Sequence, residues 1–150
     1  MITYIYNGVV HSDFSEQYMQ SLGMTDESME SVLNQRDFEL GQYEAQAIKT
    51  RYKHIYSPLA IGKGVLDVGV GKDGVFGIDN LKDTLVAVDL GLDASSGVSW
   101  IMTDNSVQTL MLEDIQEAVR NFNIRKQEVF IAYGAWRSGD KLTPFAMTKD

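Results

Sequence analysis

Asp67, Gly69, Gly71, Gly74 and Asp89 are the residues whose types and spacing could do chemistry. They stand in and after the stretch VLDVGVGKDGVFGID, residues 65–79. An apolar run leads into Gly69-x-Gly71-x-x-Gly74, and Asp89 follows about one helix later, in LVAVDL. Glycines so placed let a backbone approach a pyrophosphate, and a later acid can hold a ribose hydroxyl. That chemistry needs a helix starting directly after the glycine turn, because its first amides hold the phosphate. Val75, Phe76, Gly77 and Ile78 come next, and β-branched and aromatic residues around a glycine predict a strand. A helix is predicted only from Asp79, a good N-cap whose charge repels phosphate. The spacing therefore predicts a hairpin: strand 65–70, turn 71–74 and strand 75–78. Lys72-Asp73-Gly74 makes its turn, and Gly74 takes positive φ.

The same stretch resembles the class I methyltransferases. VLDVGVGKDG is similar to their strand-plus-glycine motif, and LVAVDL to the second strand that ends in a ribose-binding acid. That resemblance implies a cofactor held by Asp67, Gly69, Gly71 and Asp89. The chain departs from the family after Asp89, where it reads as one hairpin and one helix. It lacks the further strand–helix units that family uses. The leading expectation is no cofactor and no catalytic residue.

Other reactive types are scattered. The chain has no cysteine, so thiolate chemistry, disulfides and cysteine-bound zinc are excluded. His11 and His54 each lack a second ligand at helical spacing. Asp67, Asp73 and Asp79 do not follow a calcium-loop pattern. No metal site is expected. The net charge of −8 argues against nucleic acid and against anionic membrane as partners. No apolar run reaches the length of a membrane span, and no signal peptide is visible at the N-terminus.

These residues must be positioned by an α+β fold. Residues 2–10 predict a hairpin about Asn7-Gly8, the strongest two-residue turn signal. Two helices should follow. The first is capped by Ser12 or Asp13 and ended by Gly23, and the second is capped by Thr25. A separate longer helix is predicted over 38–56, with Leu40, Tyr43, Ala47, Ile48, Tyr52 and Ile55 on one stripe, stopped by Ser57-Pro58. Core packing explains that stripe best. If part of it is instead an interface for a homo-oligomer or another protein, Tyr43, Ala47, Tyr52 and Ile55 carry it. Composition changes near 57–63, where glycines and valines begin to dominate. Beyond lie the glycine hairpin, a helix from Asp79, and a second hairpin of VSWIM and VQTLM about Asp104-Asn105. A long helix follows from about residue 112, bearing Ile115, Val119, Phe122, Val129, Tyr133 and Trp136. Trp100 and Trp136 read as core anchors. The expected organisation is an N-terminal hairpin-plus-helices module over 1–58. A ββα-ββα domain, a small antiparallel sheet packed on helices, covers 59–140, and a frayed polar tail 141–150.

Residues 62–140 resemble a small domain found at the C-terminal end of tail-fibre-associated and fibre-assembly proteins of tailed bacteriophages and prophages. VLDVGVGKDGVFGIDNLKDTLVAV followed by VSWIMTDNSVQTLMLEDIQEAV carries the likeness, above all Trp100 and Asp104-Asn105. Met111 stands where that domain usually has a threonine cap before its last helix. The resemblance implies a non-enzymatic tail or assembly protein that self-associates or binds a fibre protein. It implies a place in the host cytoplasm during assembly or in the virion tail.

Overall fold

The computed structural model describes residues 1–147, as a mixture of helices and short antiparallel hairpins. In chain order the elements are β1 (Tyr4–Tyr6), β2 (Val9–His11), α1 (Glu16–Ser21), α2 (Asp26–Ile55), β3 (Leu59–Ile61), β4 (Gly64–Leu66), α3 (Gly77–Asp89), β5 (Val98–Ile101), β6 (Val107–Leu110) and α4 (Leu112–Ser138). The chain forms two compact units. One comprises residues 1–50 with the chain from Ala132 onward, and the other Arg51–Ile131. Both long helices run through the division, and Leu59 opens β3 within the stretch where the composition changes.

In the first unit, β1 and β2 pair antiparallel with Ile5 opposite Val10. Asn7 and Gly8 take φ of 51° and 77°. Two positive φ values in a two-residue loop match the right-handed twist of the strands. α1 is capped by Ser15, whose side chain accepts the Tyr18 amide, and not by Ser12 or Asp13. Asp13 instead accepts the Ser15 amide at 2.8 Å, which sets up the capping residue. Gly23 ends the helix at φ 81°, as its freedom from a Cβ allows. Thr25 Oγ1 accepts the Ser28 amide and starts α2. Tyr4, Met19, Met24 and Met29 are buried together, with Phe14, Leu22 and Val32 packed around them.

The second and third predicted helices are one helix of 30 residues. Asn34 to Asp37 are polar, but they include neither proline nor glycine, so nothing interrupts the backbone ladder. The expected frayed tail is packed as far as it is described. Phe145 is 6% exposed and stands against Tyr133 and Trp136. The Trp136 indole N–H donates to the Thr143 carbonyl at 2.7 Å. The Ile2 amide donates to the Leu142 carbonyl, and Lys141 pairs with Glu44. Residues 148–150 of that tail lie outside the described residues.

The second unit carries the ββα-ββα order, though with a different first hairpin. Its strands are β3 and β4, paired Leu59 to Leu66, and not the glycine stretch. The predicted strand 75–78 reduces to one bridge, Val70 to Phe76, and α3 begins two residues before Asp79. β5 and β6 pair as expected, Trp100 opposite Gln108 and Ile101 opposite Val107. Asn105, at φ 65°, closes their turn. α4 starts without a side chain at Met111 to cap it. Asp114 serves from the other direction: its carboxylate accepts the Met111 amide at 2.8 Å. That is half of a capping box. Leu66, Val68, Leu81, Leu110, Ile115 and Phe122 are buried almost completely.

Candidate functional site

The glycine loop is built by alternation. Leu66 and Val68 are fully buried, so Asp67 between them points outward. The chain then folds onto the start of α3. The Gly77 amide donates to the Gly69 carbonyl at 2.8 Å and the Ile78 amide to the Val68 carbonyl at 3.3 Å. Gly77 is required there, because a Cβ would fall on the Asp67 carbonyl oxygen. The Asp79 and Asn80 amides both turn back to the Phe76 carbonyl. The Gly71 amide donates to Val75 and the Gly74 amide to Gly71. Gly74 has the expected positive φ, 79°.

This arrangement departs from the one a dinucleotide or methyltransferase-like site uses. Every amide of the first turn of α3 already has a carbonyl, so none is left to hold a phosphate. LVAVDL is not a strand but the last part of α3 and the residue after it. Asp67, Gly69 and Gly71 come together in the loop, whereas Asp89 sits at the far end of the helix. Among the described residues no group of three or more acidic or histidine side chains gathers to hold a metal.

The loop does form one wall of a cleft of about 820 Å³. Asp67, Gly69 to Asp73, Val75 and Gly77 make that wall, with Tyr56 and Asn80 beside it and Ser99, Trp100 and Ile101 opposite. Tyr56 is held by its neighbours, with ring centroids 4.7 Å from Phe76 and 5.8 Å from Phe122. Gly69 lets the loop press against it, since a Cβ would lie 3.3 Å from the Tyr56 carbonyl. Trp100, expected in the core, is only half-buried and lines the cleft.

The wall opposite the loop is the outer edge of β5. The Met102 amide donates to Ser106 across the turn, which fixes the alternation of the hairpin. Trp100 and Val98 then face β6 with their main-chain groups, and Ile101 and Ser99 face away from it. At Thr103 this outer edge meets β4: the Thr103 amide and hydroxyl both donate to the Val65 carbonyl at 3.0 Å. The hydroxyl also reaches Asp67. The pairing goes no further, because the carbonyls of Val68 and Gly69 are turned toward α3. Among the described residues nothing bonds the outward amides and carbonyls of Ser99 and Ile101. The Trp100 indole N–H and the Tyr56 hydroxyl in the same cleft have no hydrogen-bond partner there either.

The interface residues read from the sequence divide differently. Ala47 is 1% exposed and Ile55 4%, so both serve the interior of the chain, and Tyr43 is half-buried. Tyr52 alone is open, 46% exposed, with its ring against Tyr56. Ala47→Glu would therefore put a charge inside the fold instead of testing an interface. Sequence reasoning missed Tyr56, Asn80 and the β5 edge. In the sequence Tyr56 reads only as the end of a helix. An edge exists only once the pairing of strands is known.

Arg125 was also missed. Its guanidinium donates to the carbonyls of Ile55 at 2.8 Å, Ser57 at 2.6 Å and Pro58 at 3.1 Å. It thereby closes the C-terminal end of α2, where carbonyls are left without helical partners. Burial pushes its pKa down from the ordinary value. The chain matches no protein-family model, no curated protein and no solved structure.

Proposed function

We propose that this chain is a non-catalytic assembly protein of a tailed bacteriophage or prophage, and that it acts on a tail-fibre partner through protein–protein contacts. The likeness around Trp100 and Asp104-Asn105 supplies the phage context. The unpaired edge of β5, facing the cleft, supports the mode of action. Its outward amides and carbonyls suit an extended segment of the partner, added as a third strand. Trp100 and Tyr56 flank the slot with apolar rings and unused donors, which suits a side chain with an apolar body and a polar end. Asp67 and Asp73, beside a single lysine, favour a segment with net positive charge.

The experiment is co-purification of the chain with the fibre protein encoded by the same prophage, followed by hydrogen exchange on the complex. Residues 98–101 should gain protection, and Trp100 should lose solvent exposure. Ile101→Pro deletes an amide that bonds nothing in β6, so the fold should survive while the complex is lost. Protection confined to other elements, or an Ile101→Pro chain that still binds, defeats the assignment.

A further inference from the structure

We infer that the chain pairs with a second copy of itself, in parallel, through the outward seam of α2 within the first unit. Phe38, Gly41, Ala45 and Ile48 are all exposed, Phe38 62% and Ile48 51%. Their spacing of three, four and three residues is that of alternating a and d positions. At 100° per residue they fall within about 80° of arc, on the side away from buried Ala47. A lone solvent-facing side would carry charges there. Between Phe38 and Ile48 the helix carries its charges on the two flanks instead, and Glu27 and Glu30 end the apolar face on its N-terminal side.

The flanks choose the occupant and its direction. Asp37 and Glu44 line one side of the seam, and Lys49 with Gln42 the other. Glu44 and Lys49 are five residues apart, the separation at which a g position meets the e′ position of a parallel partner. Two-fold symmetry makes that pair twice. An antiparallel pairing would set acid against acid and lysine against lysine. Glu44 binds Lys141 of its own chain through Oε1, so its second oxygen remains for the partner. Gly41 adds an independent reason. A Cβ there would meet nothing within 4 Å, so the fold itself does not demand glycine. Glycine inside a helix costs stability relative to alanine. Close approach of a second helix explains its presence, with Ala45 one turn on.

The pairing does not depend on what β5 binds, and each can fail without the other. The test is sedimentation velocity of the full chain across the micromolar range. A concentration-dependent dimer is expected. Ala45→Glu sits on the exposed face, so its melting should match wild type at concentrations where both are monomeric, while dimer affinity drops about tenfold or more. Glu44→Lys and Lys49→Glu should each weaken the dimer alone. Mixed, with one isotopically labelled, they should restore a heterodimer, because both cross-pairs become attractive. Ile48→Cys, the only thiol in the chain, should crosslink to its own counterpart under oxidation in the parallel arrangement. A wild-type monomer throughout, a dimer indifferent to Ala45→Glu, or charge variants that mix without pairing would overturn the inference. A dimer in which Ile48→Cys does not crosslink overturns its parallel direction.

Discussion

Arg125 shows how far one residue can reach. Its guanidinium satisfies three carbonyls that the end of α2 and the Ser57-Pro58 turn leave open. Proline cannot continue the helix, so those carbonyls have no intrahelical donor. Arg125→Met keeps the aliphatic stem and removes the donors. We expect a loss of about 2–4 kcal/mol in chemical denaturation, since hydrogen bonds to a charged group are each worth more than neutral ones. Arg125→Lys should recover only part, because an ammonium lacks the planar fork. A full recovery would mean that charge alone matters there. Nothing in the sequence singles out Arg125 among the surface cations, since its partners lie nearly seventy positions away. Gly77 was equally silent. It reads as a helix-disfavouring residue in a strand, and only the fold reveals the carbonyl beneath it.

At the scale of elements, the start of α4 depends on a carboxylate. Lys63 Nζ lies 2.7 Å from Asp114 and also donates to the Thr109 carbonyl at 2.8 Å. The turn of the β3–β4 hairpin is thus tied to the helix start. Lys63, and then the Met111 amide, hold the Asp114 carboxyl below its ordinary value of 3.8. A group whose folded pKa is depressed stabilises the fold above its unfolded pKa, and that contribution is lost as pH falls through the folded pKa. Asp13, Asp93 and Asp104 are lowered too, chiefly by bonds from the serine two residues on. Melting temperature should therefore be flat near neutrality and fall as pH drops below about 4. Asp114→Asn should lower the plateau and shrink the acid drop. An unchanged acid drop in that variant would remove Asp114 from the explanation. The hairpins were legible because Asn7-Gly8 and Asp104-Asn105 fix their own backbone. The β3–β4 hairpin was not, since Leu59-Ala60-Ile61 is too short to announce a strand.

At the scale of the whole molecule, the described C-terminal residues are part of the first unit. Phe145 fills a place beside Tyr133 and Trp136, and Leu142 receives the Ile2 amide. A chain ended at Asp140 should melt earlier by several degrees, consistent with losing one buried aromatic side chain. Its Trp136 emission should shift to the red. An unaltered melting curve would show that the segment contributes nothing. The segment looked frayed because one phenylalanine among polar residues gives no periodicity, and burial then rests wholly on what the chain folds against.

The sequence by itself determined the α+β class, two of the three hairpins and the apolar stripe of α4. Each follows from local backbone preference or from a period that a single element must satisfy. It also placed Gly74 correctly in the left-handed region. The tertiary structure decided what those elements leave open. It joined two expected helices into α2, turned LVAVDL into helix, and occupied the amides that a phosphate would need. It buried Ala47 and Ile55 while exposing Phe38 and Ile48 of the same helix. Helical period gives the faces of a helix, but only neighbours distant in sequence choose which face is covered. The free edge of β5 arises in the same way, from carbonyls at Val68 and Gly69 that are drawn to α3 instead.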